Sequence, residues 1–264
     1  MIVDKATYCQ DRKDPTPNQV MILLEQVNHL CPKCGKVALK IGKNGILKKI
    51  QIAHVFPNSP TDREKVELRD VPILGSNSET IENWIPLCRD CHDEYDHEKT
   101  REMYMEMYEL KKRIMAETSA KHALANEEIE EELVDVVKRL EGLKNEDMQD
   151  IVDADEFRKH VMTIKEKIPA DIILQRHVVS NVTSYFSFVR DAFKTQCSDR
   201  KFRETRDKIR VAYDKCVSEG LEASSIYATL TNWLVSKVHA RAIVCEIIVS
   251  YFIQNCDIYG TDAE

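Results

Sequence analysis

Glycine and proline are scarce: seven and eight in 264 residues. With Glu, Lys, Leu and Ile abundant, the shortage of helix breakers argues against a turn-rich fold and implies a mainly helical protein. No apolar run is long enough to span a bilayer, which excludes a transmembrane helix. The start, Met1-Ile2-Val3-Asp4-Lys5, lacks the basic-then-apolar pattern of a secretory signal, so the chain reads as cytoplasmic. Thiols stay reduced there, and the nine cysteines do not read as a disulfide framework. Cys9, Cys197, Cys216, Cys245 and Cys256 stand mostly in apolar helical context and read as small buried hydrophobes. Positive charge is in deficit as well, and a net charge of -7 argues against general nucleic-acid affinity.

One window inverts that balance. Between Glu25 and Asp62 there is no acidic residue, while Lys33, Lys36, Lys40, Lys43, Lys48 and Lys49 all fall there. Lys40, Lys43, Lys48 and Lys49 are the candidates for neutralising nucleic-acid phosphates. The competing reading is a solvated lysine-rich edge that keeps strands from aggregating.

The same window opens the stretch that carries the chemistry. Cys31-Pro-Lys-Cys34 and Cys88-Arg-Asp-Cys91 form two Cys-x-x-Cys pairs. Four thiolates so spaced are the usual ligands of a closed tetrahedral zinc site, which staples a small lobe and does no chemistry itself. Between and after the pairs stand His54 in Ala53-His54-Val55-Phe56-Pro57, Asn83 in Asn83-Trp84-Ile85-Pro86-Leu87, and His92 directly after the last cysteine. Asp96 lies four residues beyond His92, so the two share a helix face and together suit a divalent cation. Asp93 and His97 are reserve ligands that read more simply as solvated helix residues.

This stretch, residues 18–105, resembles the HNH nucleases of the ββα-metal fold, in their zinc-stapled branch. His54, Asn83 and His92 match the three motif positions. Many relatives carry an Asp immediately before the first His; here that position is Ala53. A branch with Ala-His-Ile/Val in the first motif and His-x-x-aromatic-Asp in the last is matched by His92-Asp93-Glu94-Tyr95-Asp96. The resemblance implies a catalytic Mg2+ or Mn2+ held by His92 and Asp96, His54 as the general base, and Asn83 fixing the loop or orienting His54. It also implies a structural Zn2+ on the four cysteines and DNA as substrate. An RNase of the same fold, and an inactive zinc-stapled module that binds DNA or a partner, are the alternative readings.

In chain order, a helix is expected over Asn18–His29. Strands are expected over Val37–Ile41 and Ile46–Ile52, turned at Lys43-Asn44-Gly45. His54 follows the second strand, and 57–80 reads as a long loop. Met103, Met107, Leu110 and Ile114, then Ile129, Leu133, Val136, Leu140 and Leu143, form heptad stripes that predict a coiled coil or antiparallel helix pair. They could pack within the chain, on a second copy or on a partner. Further helices are expected over Phe157–Lys167, over Asp171 to about Phe193 with a possible interruption, over Phe202–Val217, after a Ser224 cap, and over Ala240–Cys256. The fold class is therefore mainly α with a small α+β part. The expected division is a nuclease domain over 1–105, a helical linker or coiled coil over 106–150, and an all-α interaction domain over 151–264.

The tail adds a second resemblance. Ile226-Tyr-Ala-Thr-Leu-Thr-Asn-Trp-Leu-Val, followed by Ala242-Ile-Val-Cys-Glu-Ile-Ile-Val-Ser-Tyr-Phe-Ile-Gln-Asn-Cys256, is similar to the C-terminal domains of effectors in ABC-three-component prokaryotic defence systems of the Lamassu type. That resemblance implies an SMC-like ABC ATPase and a small third subunit as partners, and allows a homo-oligomer. No membrane partner is expected.

Overall fold

The architecture of the first half follows from where its helices are forced to stop. The structure, a computed structural model, describes residues 5–42, 45–97, 99–125, 127, 131–142 and 154–255. It divides into two compact units, Met1–Thr118 and Ser119–Glu264.

In the first unit, α1 (Lys5–Tyr8) precedes α2 (Pro17–Gln26). Thr16 caps α2 in a reciprocal capping box with Gln19, and Pro17 takes the first helical position, where its missing N–H costs nothing. Asn28 and His29 then adopt left-handed backbone, at φ 51° and 58°, and stop the helix. The chain turns into the first cysteine pair. There Cys31 N–H donates to the Lys36 carbonyl at 2.8 Å, and Gly35 N–H to the Cys31 carbonyl at 2.8 Å.

Strand β1 (Leu39–Gly42) and β2 (Gly45–Lys48) form an antiparallel hairpin, Leu39 opposite Lys48. The turn residues Lys43 and Asn44 lie outside the described residues. The strand expected over Ile46–Ile52 is in fact two. The chain breaks at Lys49, and β3 (Ile50–His54) pairs instead with β4 (Trp84–Cys88), antiparallel, with His54 opposite Trp84 and Ala53 opposite Ile85. His54 thus ends a strand rather than following one. Helix α4 (Arg89–His97) leaves directly from β4, which gives a continuous β3–β4–α4 unit. The long 57–80 loop contains α3 (Asp62–Glu67), capped by Thr61 and Glu64, and a 3-10 turn at Ile81–Asn83 follows.

Helix α5 (Arg101–Ala125) follows. Its first stripe packs inward: Met107 and Ile114 are buried, with Met103 and Leu110 against them, in the cluster that holds Tyr8, Val55, Phe56, Ile85, Leu87 and Tyr95. Tyr8, Phe56 and Tyr104 meet edge to face at 5.5 and 6.0 Å.

The second unit is helical: α6 (Glu131–Glu141), α7 (Ala154–Lys167), α8 (Ile172–Gln196), α9 (Asp199–Ser218), α10 (Ala223–Val238) and α11 (Ala242–Asn255). Leu133, Val136 and Leu140 of the second stripe are buried in its core; Ile129, Leu143 and Cys256 lie outside the described residues. Helix α8 runs unbroken, capped by Asp171 at Leu174 N. The cap expected at Ser224 belongs to Glu222, and Ser224 lies inside α10. Phe193, Phe202, Tyr251 and Phe252 stack at 5.2 to 6.2 Å around the apolar α11.

Candidate functional site

The four cysteines converge because the α2 stop and the β4–α4 junction meet. Cys31, Cys34, Cys88 and Cys91 bring their Sγ atoms within 4.8 Å of one another, with Cys34 and Cys88 at 3.5 Å. Thiolates about 2.3 Å from zinc stand roughly 3.8 Å apart in a tetrahedron, so the set fits that ion. Three of the four are buried. Burial pushes the Cys31 thiol up, but backbone N–H groups of Cys88, Cys34 and Lys33 outweigh it and bring the thiol down to about 7. That is the direction a metal thiolate needs, whereas the Cys91 thiol is pushed up, chiefly by burial, and the Cys34 thiol is also shifted up. Lys33 pairs with Glu94 at 2.9 Å and Lys36 with Asp90 at 2.6 Å, tying the first knuckle to α4. Among the described residues this is the one group of three or more ligand side chains close enough to share an ion.

His54 lies where β3 meets the long loop. Its Nε2 stands 2.8 Å from Glu79 Oε1, and the two side chains are 14% and 4% exposed. A carboxylate on Nε2 favours the tautomer that donates there and leaves the lone pair on Nδ1. Burial holds the His54 pKa below the ordinary imidazole value; Glu79 pulls it back up, and the charges of Arg12 and Lys99 lower it. Glu79 was not legible as a site residue: it belongs to no motif and stands in a polar loop.

Asn83 is fully buried and has its amide fully occupied. Its Oδ1 accepts from Phe56 N at 2.8 Å, and Nδ2 donates to the carbonyls of Phe56 and Ser78 at 3.0 and 2.9 Å. Its own carbonyl accepts from Val55 N at 2.7 Å. Asn83 therefore fixes the loop on either side of His54, and its amide makes no bond to the imidazole. Ala53 is buried in the core against Ile85.

On α4, His92 Nδ1 stands 3.3 Å from Asp96 Oδ2, the i,i+4 geometry expected. Two ligand atoms so placed suit adjacent corners of one coordination shell, leaving the other positions to water or substrate. Asp96 is shared: its Oδ1 lies 3.5 Å from Lys99 Nζ. Burial pulls the Lys99 pKa down, with Asp96 and Glu64 opposing. Tyr95, one residue before Asp96, donates its hydroxyl to the Val55 carbonyl at 2.7 Å and so locks α4 to the strand that presents His54. Of the reserve ligands, Asp93 is exposed and 3.6 Å from Arg89, and His97 is exposed at the end of α4.

Lys40 lies on β1 and Lys48 ends β2; Lys43 lies outside the described residues. Lys49 is exposed and lines a surface cleft beside the cysteine cluster, together with Lys36, Gln51 and Arg89.

Among the described residues no helix is long and apolar enough to cross a membrane. No curated protein and no solved structure gives a significant match to the chain. A family model does match, over residues 120–259, more than half of the chain and nearly all of the helical second unit. By that match the chain belongs to the family described as C-terminal domain 11 of the ABC-three component (ABC-3C) systems.

Proposed function

We propose that this chain is a metal-dependent HNH-type endonuclease that hydrolyses DNA phosphodiesters as the effector of an ABC-three-component defence system, controlled through its C-terminal helical unit. One observation carries the reading. His54 at the end of β3, and His92 with Asp96 on α4, belong to a single β3–β4–α4 unit, locked by Tyr95 and stapled beside the four cysteines. Membership of the family supplies the context, since domains of multi-component systems act with protein partners. An SMC-like ABC ATPase and a small third subunit are the partners proposed.

His54 acts as general base from Nδ1, taking the proton of the attacking water, while Glu79 holds Nε2. Its lowered pKa keeps the base form populated at neutral pH. Asn83 prevents the strand end and loop from drifting, because each of its amide groups is anchored to backbone. His92 and Asp96 would hold the divalent ion. Bound there, Mg2+ or Mn2+ offsets charge on the phosphate and the leaving oxygen. The exposed Lys49 and Arg89 line the cleft that suits neighbouring phosphates. Zinc on the cysteines is structural.

The test is plasmid nicking with Mg2+ and with Mn2+, wild type beside His54→Ala, both checked for zinc content. Nicking by wild type only is the expected result. Silence from wild type, alone and with its partner subunits, would overturn the reading. A substrate competition in which RNA is cut and DNA is not would move the activity to RNA.

A further inference from the structure

Lys99 is a charged side chain for which the mechanism above has no use. It lies in the short connection between α4 and α5, with its side chain 4% exposed. An ammonium kept from water is costly unless a close partner compensates, and lysines normally extend their heads into solvent. Compensation here is thin. Among the described residues its carboxylate partner is Asp96, at 3.5 Å and half exposed. Its other contact is the face of Tyr95, with Nζ 4.4 Å from the ring centroid. That ring is a fixed floor, because the Tyr95 hydroxyl is tied to the Val55 carbonyl.

The position matters as much as the burial. Asp96 is divided between Lys99 and His92, whose Nδ1 is slightly nearer at 3.3 Å. The charge of Lys99 reaches His54. At Ala53 the strand carries no carboxylate to oppose that positive field. A buried cation whose one bonded carboxylate is long, shared and solvent-side, with Glu64 acting on it through charge alone, is a place for an incoming anion.

We propose that Lys99 is a phosphate ligand of this site: its ammonium takes an oxygen of a nucleic-acid backbone phosphate, with Asp96 turning aside toward His92 as the phosphate enters. Asp96 is the group that moves, since it is half exposed while the lysine stem is covered. A phosphodiester oxyanion fits because it is compact, bears a full charge and accepts charge-assisted hydrogen bonds from a fixed ammonium. The site then binds substrate without added divalent metal. The substrate class rests on the nuclease reading; the binding role of Lys99 does not.

The experiment uses the full chain and a short labelled duplex DNA, with no added Mg2+ or Mn2+, titrated at several salt concentrations. Lys99→Met should weaken binding about tenfold, the loss of one charge-assisted contact, and reduce the slope of log K against log salt by about 0.9. Lys65→Met is the control, an exposed lysine of the same unit paired with Asp62; it should change neither. Zinc content and circular dichroism establish that both variants fold. Equal affinity and slope for Lys99→Met and wild type overturn the proposal, as does absence of DNA binding by wild type at low salt. A second measurement covers a misfolded variant. In wild-type protein carrying 13C-ε lysine, the Lys99 resonance, identified by its loss in Lys99→Arg, shifts on adding the duplex; an unmoved resonance overturns the proposal. Cleavage separates the two readings. Binding through Lys99 with no nicking under any condition sinks the nuclease reading alone, whereas nicking with binding indifferent to Lys99 sinks this inference alone.

Discussion

Glu79 and His54 are 25 positions apart and meet at 2.8 Å only because the 57–80 loop folds back along β3. Nothing in a polar Ser-Asn-Ser-Glu stretch distinguishes that glutamate from a solvated one, whereas His54 is legible from its motif company. For the proposed nuclease the consequence is a pH dependence with a definite sign. Burial lowers the His54 pKa and Glu79 raises it, so Glu79→Gln lowers it further. The acid limb of the pH–rate profile should therefore move to lower pH than in wild type. Activity at the plateau should fall roughly tenfold, because the imidazole loses the group that orients it. An acid limb that stays in place, or moves upward, would show that Glu79 does not act on His54.

At the scale of elements, Asn83 is the joint. Its side chain closes three hydrogen bonds between the β4 entrance and the Phe56 and Ser78 backbone, all within a site of no exposure. Asn83→Ala strands a backbone N–H and two carbonyls, and should destabilise the first unit by about 2–4 kcal/mol. Urea unfolding followed at Trp84 measures it, and a loss under about 0.5 kcal/mol would contradict the assignment. Zinc content should stay at the wild-type level, because the Asn83 side chain bonds only the Phe56 and Ser78 backbone and none of the cysteines. The elements were unevenly readable. The β1–β2 hairpin is expected from the Asn-Gly between two apolar runs, although its turn residues lie outside the described residues. Strand β4 is not expected: Trp84–Cys88 is five residues long, includes Pro86 and is buried on both faces, so it shows no alternation. The break at Lys49 was equally silent, because the apolar run either side of it reads as one strand until β4 claims the second half.

Across the whole molecule, the two units have separate cores and each contains one tryptophan, Trp84 in the first and Trp233 in the second, both buried. The first unit contains the four-cysteine cluster, whose geometry suits a zinc ion; the second buries a continuous helical core that involves none of the four. Removing zinc with a strong chelator, or substituting Cys88→Ser, should therefore unfold the first unit while leaving the second folded. Trp233→Phe reports the first unit and Trp84→Phe the second, so each loss can be followed alone by fluorescence. Loss of the Trp233 signal at the same chelator concentration as Trp84 would show that the two cores unfold together.

The sequence by itself determined the helical character of the chain, the four thiolates and the i,i+4 pairing of His92 with Asp96. Each depends on composition or on spacing within one segment, which local backbone geometry turns directly into proximity. It also marked the tail as similar to the ABC-three-component domains, because a long apolar helical pattern is written in consecutive residues. Only the tertiary structure decided that β3 pairs with β4, that Glu79 faces His54, that Asn83 is wholly spent on backbone, and that Lys99 lies buried behind Asp96. Those depend on contacts between segments far apart in the chain, and on which polar groups lose their water when the segments meet.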